Sequence, residues 1–304
     1  MGSGGFVGPK QESKGIHTSR TLGPDEYSDL WDSIHVPSEL KESLLCQSLV
    51  TFTLRPKVSR TVIPLHGVIL LVGEPGTGKT SLARGLASKT AGLLKAKKLS
   101  YLEVEPHSLG SSALGKTQKA VTELFGETIA EYAQGGPTFV LLDEVETLIV
   151  ARSKLSFEAN PVDVHRATDA ALVQLDYLGD AFPNLLIVAT SNFPQAIDAA
   201  FLSRSDMILS VPLPDKGACH EIICDALKGL SKSFARVKDL LQSRELTEIA
   251  EICVGMDGRQ IRKMIAAACT FSRDTAADPN KLSIADLRRA AEKALRERKK
   301  VATT

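Results

Sequence analysis

Gly73-Glu74-Pro75-Gly76-Thr77-Gly78-Lys79-Thr80 is the stretch on which the reading of this chain turns. It fits GxxxxGK[ST], a loop whose glycines let the backbone bend around a phosphate with its N–H groups turned inward. The apolar run Val68–Val72 (VILLV) precedes it and reads as a buried strand. A helix from about Lys79 to Thr90 follows and aims its positive end at the same anion. Gly73, Pro75, Gly76, Thr77, Gly78 and Ser81 then belong to a phosphate-binding segment. Lys79 reaches the β- and γ-phosphates, and the Thr80 hydroxyl is a ligand for Mg²⁺. ATP and Mg²⁺ are the expected ligands.

Working outward, strands and helices alternate. Leu99–Val104 reads as a second strand, Gln118–Tyr132 as a helix, Phe139–Leu142 as a third strand and Val164–Leu178 as a helix. Leu185–Thr190 is a fourth strand and Met207–Val211 a fifth. Apolar strands separated by helices imply a parallel sheet covered on both faces. After Pro212 and Pro214 only helical patterns remain, at Ala218–Gly229, Glu245–Cys253, Arg259–Phe271 and Ser283–Glu297. Residues 1–25 are rich in Gly, Ser, Thr and Pro and read as a flexible leader. The expected division is therefore a leader at 1–25, an α/β domain at 26–213 and a small helical domain at 214–304.

Four further motifs fit the loop. Phe139-Val-Leu-Leu-Asp143-Glu144 is an apolar strand ending in two carboxylates, a Walker B element. Asp143 suits Mg²⁺, largely through water, and Glu144 suits orienting an attacking water. Ala189-Thr190-Ser191-Asn192 ends the fourth strand and offers Asn192 as a second residue to place that water. Arg204 is the only arginine between Arg166 and Arg236 and ends a short helix, from which it could reach a neighbouring subunit's γ-phosphate. Gly258-Arg259 opens a helix in the second domain; there Arg259, with Arg262 one turn on, could bend back to the phosphates.

The bulk numbers exclude several classes. Lys and Arg total 37 against 36 Asp and Glu, a net charge of +1, which argues against a dedicated DNA binder. Five cysteines, an odd number without CxxC spacing, sit mostly in apolar helical stretches, which fits a reducing compartment and offers no zinc site. No apolar run approaches the roughly 20 residues of a membrane span, and no signal peptide is legible, so the cytoplasm is the expected location.

In this order and spacing the motifs resemble the AAA+ ATPases. The wording of Leu30-Trp-Asp-Ser-Ile34, Gly73-x-Pro-Gly-Thr-Gly-Lys-Thr-Ser-Leu82, Leu142-Asp-Glu-Val-Glu-Thr-Leu148 and Gly258-Arg259 resembles the pachytene-checkpoint/thyroid-receptor-interactor family, over residues 28–300. The resemblance implies a three-layer α/β P-loop domain with a C-terminal all-helical lid and a homo-hexameric ring with ATP at its interfaces. It also implies a HORMA-domain protein as client, converted from a closed, partner-bound state to an open one. Only 72 residues precede Gly73, so the expectation is a member without the N-terminal adaptor domain. That form resembles bacterial members tied to antiphage second-messenger systems, where a nucleotidyltransferase is the client's partner. Two stretches are candidates to line the pore. Leu109–Lys116 has Ala113 where an aromatic is usual, with Leu114 and Lys116 left as contacts, and Arg152–His165 carries Arg152 and Lys154. Two other readings stand beside this one: a clamp- or helicase-loader type of AAA+ machine on DNA, and a nucleotide-gated scaffold that does not hydrolyse ATP.

Overall fold

The computed structural model describes residues 15–23, 25–94, 98–109, 116–151 and 161–302. Of the two candidate pore stretches, 110–115 and 152–160 lie outside the described residues. The chain divides into two compact units. The second takes Asp32–Pro37, Glu74–Gly78 and everything from Val211 onward; the first takes the rest.

The first unit is built on a six-stranded sheet in the order β1-β3-β4-β5-β2-β6. The strands are β1 (Ile16–Leu22), β2 (Val68–Val72), β3 (Leu99–Val104), β4 (Thr138–Leu142), β5 (Leu185–Ser191) and β6 (Met207–Ser210). Strands β2 to β6 pair in parallel, as the apolar runs predict. The sheet is nevertheless mixed, because β1 pairs antiparallel with β3 along Ile16↔Val104 to Leu22↔Leu99. This corrects the reading of 1–25 as a flexible leader over its residues 16–22. The strand IHTSRTL carries polar, half-exposed side chains and is held by backbone pairing, as suits an edge. Its β-branched Ile16, Thr18 and Thr21 favour extended backbone, but they leave no apolar period to read.

Helices α1 (Ser28–Asp32), α2 (Ser38–Leu54) and α3 (Lys79–Leu93) precede β3 in the chain. Both α2 and α3 lie against β5, with Leu82, Ala83 and Leu86 fully buried. Next come α4 (Lys116–Glu123), a wider π-type turn over Leu124–Ile129 and α5 (Ala130–Gln134), which run on without a break; α6 is Pro161–Ala181. These bury Val121, Phe125, Ala171 and Leu175 in one core with Leu70, Leu102, Val140 and Ile187. A short α7 (Ala199–Arg204) is N-capped by Asp198. Arg55, at the end of α2, is buried and donates to the carbonyls of Leu185 at 2.5 Å and Gly179 at 2.9 Å, so a cation caps the C-terminal end of α6. Burial lowers its guanidinium to about 10.

The second unit is helical: α8 (Lys216–Ser231), α9 (Leu246–Cys253), α10 (Gly258–Ala268), α11 (Arg273–Ala277) and α12 (Ile284–Ala302). Ile223, Leu227, Ile249, Cys253, Ile261 and Leu287 are fully buried in a separate core. Asp257 and Gln260 form a reciprocal capping box that fixes the start of α10.

Candidate nucleotide-binding site

The site grows from the ends of parallel strands, where α/β sheets bind ligands. After β2 the chain turns through Gly73 to Gly78 into α3. Gly76 and Gly78 have φ of +82° and +96°, where an L side chain is strained. A Cβ on Gly76 would also collide with the Asp257 carboxylate, so both space and dihedral require glycine.

Lys79 opens α3 and is buried. Its Nζ donates to the Gly73 carbonyl at 2.9 Å and to Asn192 Oδ1 at 2.7 Å. Burial lowers the ammonium's pKa, and the nearby carboxylates of Glu146, Asp143 and Glu144 oppose that shift. Thr80 Oγ1 donates to Asp143 Oδ1 at 2.8 Å, and Thr190 Oγ1 donates to the same oxygen at 2.5 Å. A threonine hydroxyl beside a carboxylate is a hard-oxygen set suited to Mg²⁺.

Glu144 follows β4 with φ of 54° and ψ of 53°, the only non-glycine in the left-handed region among the described residues. Local strain of this kind concentrates at functional sites. Its N–H donates to Thr190 Oγ1 at 3.1 Å, and its Oε1 accepts from Asn192 Nδ2 at 3.2 Å. Asn192 therefore offers its carbonyl oxygen to Lys79 and its amino group to Glu144, which sets the amide's orientation. The Asn192 backbone N–H is held by Glu146 Oε1 at 2.9 Å.

The structure thus brings together Lys79, Thr80, Asp143, Glu144 and Asn192. Arg204 is instead engaged by Asp176 of α6, with Nε to Oδ1 at 2.8 Å and Nη2 to Oδ2 at 2.7 Å. Arg259 stands exposed on the first turn of α10 in the second unit, and Arg262 donates to the Ser33 carbonyl at 3.1 Å. Three residues escape a sequence reading of roles. Thr190 and Glu146 lie inside motifs already marked, as a hydroxyl near the end of β5 and a third acid after β4. Asp176 carries no local signal, being 28 positions from its partner.

This fold and this cluster define a P-loop ATPase of the AAA class. Residues 69–213 match the family described as ATPase family associated with various cellular activities. The chain is 60% identical to CD-NTase-associated protein 6 of Pseudomonas aeruginosa, over 91% of each chain. It is 34% identical to the pachytene checkpoint protein 2 homologue of Arabidopsis thaliana, covering 80% of this chain and 59% of that protein's length. The chain belongs to the family of these proteins. Its fold also matches a chain in the structure of the Escherichia coli MS115-1 HORMA:CdnC:Trip13 complex, with a TM-score of 0.75 at 17% identity, over 94% of this chain and 97% of the other. No helix among the described residues is long and apolar enough to cross a membrane.

Proposed function

We propose that this chain hydrolyses ATP in a homo-hexameric ring and uses the energy to open a HORMA-domain protein, releasing it from its partner. For the chemistry, one observation carries the reading: the Asn192 side chain bridges Lys79 and Glu144, the residues that the motifs assign to the phosphates and to the attacking water. Lys79 binds the β- and γ-phosphates, the loop from Gly73 to Gly78 cradles them, and Ser81 continues the binding segment. Thr80 and Asp143 hold Mg²⁺, which when bound neutralises charge on the phosphate oxygens. Glu144 aligns and polarises the attacking water, and Asn192 keeps that carboxylate and Lys79 in register. Arg204 acts on the γ-phosphate of an adjacent subunit, and Arg259 lets the helical unit serve as a lid that responds to nucleotide.

The client comes from the relatives. The Pseudomonas relative is named for its association with a CD-NTase, and a protein of the same fold was solved together with HORMA and CdnC. On this reading the client is a HORMA protein held by a nucleotidyltransferase, and its release restrains an antiphage second-messenger system in the cytoplasm. The near-neutral charge, +1, supports a protein client over nucleic acid.

Binding in the ATP-locked state tests the assignment. Glu144→Gln with ATP should co-elute with a HORMA–nucleotidyltransferase complex, and exchange to ADP should release it. Equal retention with ATP and ADP would count against the reading.

A further inference from the structure

Glu103 is a buried carboxylate that the chemistry of the nucleotide site does not use. It lies on β3 with its side chain only 4% exposed. Burying a charge is costly unless it is paired and its remaining lone pairs are satisfied. Here both oxygens are engaged. Arg84 of α3 approaches as a fork, with Nη2 donating to Oε1 and Nε to Oε2 at 3.2 Å. The Tyr101 hydroxyl, two residues back along the same strand, donates to Oε2 at 2.9 Å. Tyr101 is itself fully buried, and its ring lies against those of Tyr27 and Phe139, with centroids 5.8 and 6.0 Å away. Burial and the Glu103 carboxylate raise the phenol's pKa, so the hydroxyl keeps its proton and donates. The hydrogen bond to Glu103 likewise raises the pKa of Arg84.

Both ends of the fork stand one step from a residue of the nucleotide site. Arg84 is one helical turn beyond Thr80 on α3. Glu103 is followed by Val104, whose carbonyl accepts the Asp143 N–H at 3.1 Å. Thr80 Oγ1 in turn donates to Asp143 Oδ1 at 2.8 Å. The links close a circuit. It runs from Thr80 along α3 to Arg84, across to Glu103, along β3 to Val104, over to Asp143 and back to Thr80. Every link lies within the first unit. Apolar side chains of the same volume would fill this space without the desolvation cost of an ion pair. What the fork adds is direction, because two parallel bonds fix how α3 lies along β3.

We infer that Arg84 and Glu103 are positioning residues for Mg²⁺, their fork holding Thr80 and Asp143 within reach of one cation. Neither residue touches the metal. Without the fork, α3 and β3 remain packed, but directional bonds no longer set their register, nor with it the separation of the two ligands. Partners outside the ligand shell govern metal affinity by about 10–100-fold. Tyr101 belongs to the same device, since its hydroxyl fills the lone pair on Oε2 that Arg84 leaves and keeps Glu103 aimed at α3.

The inference rests on the assignment of Thr80 and Asp143 to Mg²⁺ in the proposed function, and the test separates the two. Isothermal titration of the full chain gives ATP affinity in EDTA and in saturating Mg²⁺, so the gain due to the metal is read apart from turnover. Arg84→Met combined with Tyr101→Phe and Glu103→Leu replaces the network with apolar side chains of similar volume. Its thermal midpoint should stay near that of wild type, as a merely structural role would allow. Its ATP affinity in EDTA should also stay close to wild type, while the gain from Mg²⁺ falls about tenfold. Arg84→Lys keeps the charge but not the two-point contact, and should lose about threefold of that gain. This single variant decides the question if the triple one fails to fold. An unchanged Mg²⁺ gain in either folded variant overturns the inference and leaves the site reading standing. Equal losses of affinity in EDTA and in Mg²⁺ also overturn it, since the fork then acts on the phosphate loop as a whole. A wild type that gains nothing from Mg²⁺ overturns the assignment of Thr80 and Asp143, and the inference with it.

Discussion

Arg204 and Asp176 meet as a two-point fork, with both hydrogen bonds at 2.7–2.8 Å and a third from Arg204 Nη1 to the Ala200 carbonyl at 2.8 Å. The hydrogen bond from Arg204 holds the Asp176 carboxyl below its usual pKa. A group whose folded pKa is depressed stabilises the fold above its unfolded value and loses that contribution as pH falls through the folded one. Wild type should therefore be more stable than Asp176→Asn at pH 7, with the difference closing below about pH 4. Urea unfolding of both proteins across that range checks it. A constant difference would mean that Asp176 acts through packing alone.

The fork also bears on turnover. Because the guanidinium is oriented by Asp176, Arg204→Lys should not substitute for arginine, since lysine cannot make the two-point contact. Turnover in Arg204→Lys should fall nearly as far as in Arg204→Ala, with ATP affinity close to wild type in both. Isothermal titration beside a phosphate-release assay separates the two quantities.

Lys79 and Glu144 should fail differently. Glu144→Gln keeps the fold and the phosphate contacts, so ATP binding should persist while turnover drops about 10²–10³-fold. Lys79→Ala should weaken binding and turnover together. The strained backbone at Glu144 adds a second comparison. Asparagine tolerates the left-handed region better than glutamine, so Glu144→Asn should be more stable than Glu144→Gln by about 1 kcal/mol, with neither active. Thermal denaturation gives the ordering.

Thr190→Val is nearly isosteric but removes a hydroxyl that donates to Asp143 and accepts from the Glu144 N–H. The Glu144 N–H then loses its acceptor while Asp143 keeps the Thr80 hydroxyl, so the change should cost about 1 kcal/mol of stability. The same change loosens both carboxylates, so turnover should fall further than ATP affinity does. Chemical denaturation and single-turnover kinetics on the one variant test both effects.

Much of this was legible because the physics is local. A phosphate loop needs its glycines, its lysine and a helix directly behind it, and buried parallel strands must be apolar runs, so β2 to β5 stood out; β6, half-exposed at the far edge of the sheet, still carries the apolar run Met207-Ile-Leu. β1 did not, because an edge strand is held by backbone hydrogen bonds and its side chains Thr18, Ser19, Arg20 and Thr21 face little core. The cluster of Lys79, Asp143, Glu144 and Asn192 could be named from motif spacing. The amide bridge through Asn192 could not, since it depends on how the ends of β4 and β5 lie beside α3. The same holds for Asp176: helix periodicity places it on α6 but says nothing of a partner on α7.

The most direct test of the account follows a preformed complex of a HORMA protein and its nucleotidyltransferase by size exclusion, with catalytic amounts of this protein. With ATP, the complex should separate into its components and the HORMA chain should survive intact. With a non-hydrolysable analogue, or with Glu144→Gln in place of wild type, it should stay together. Separation that proceeds equally with the analogue, or a complex that persists under ATP, would contradict the account.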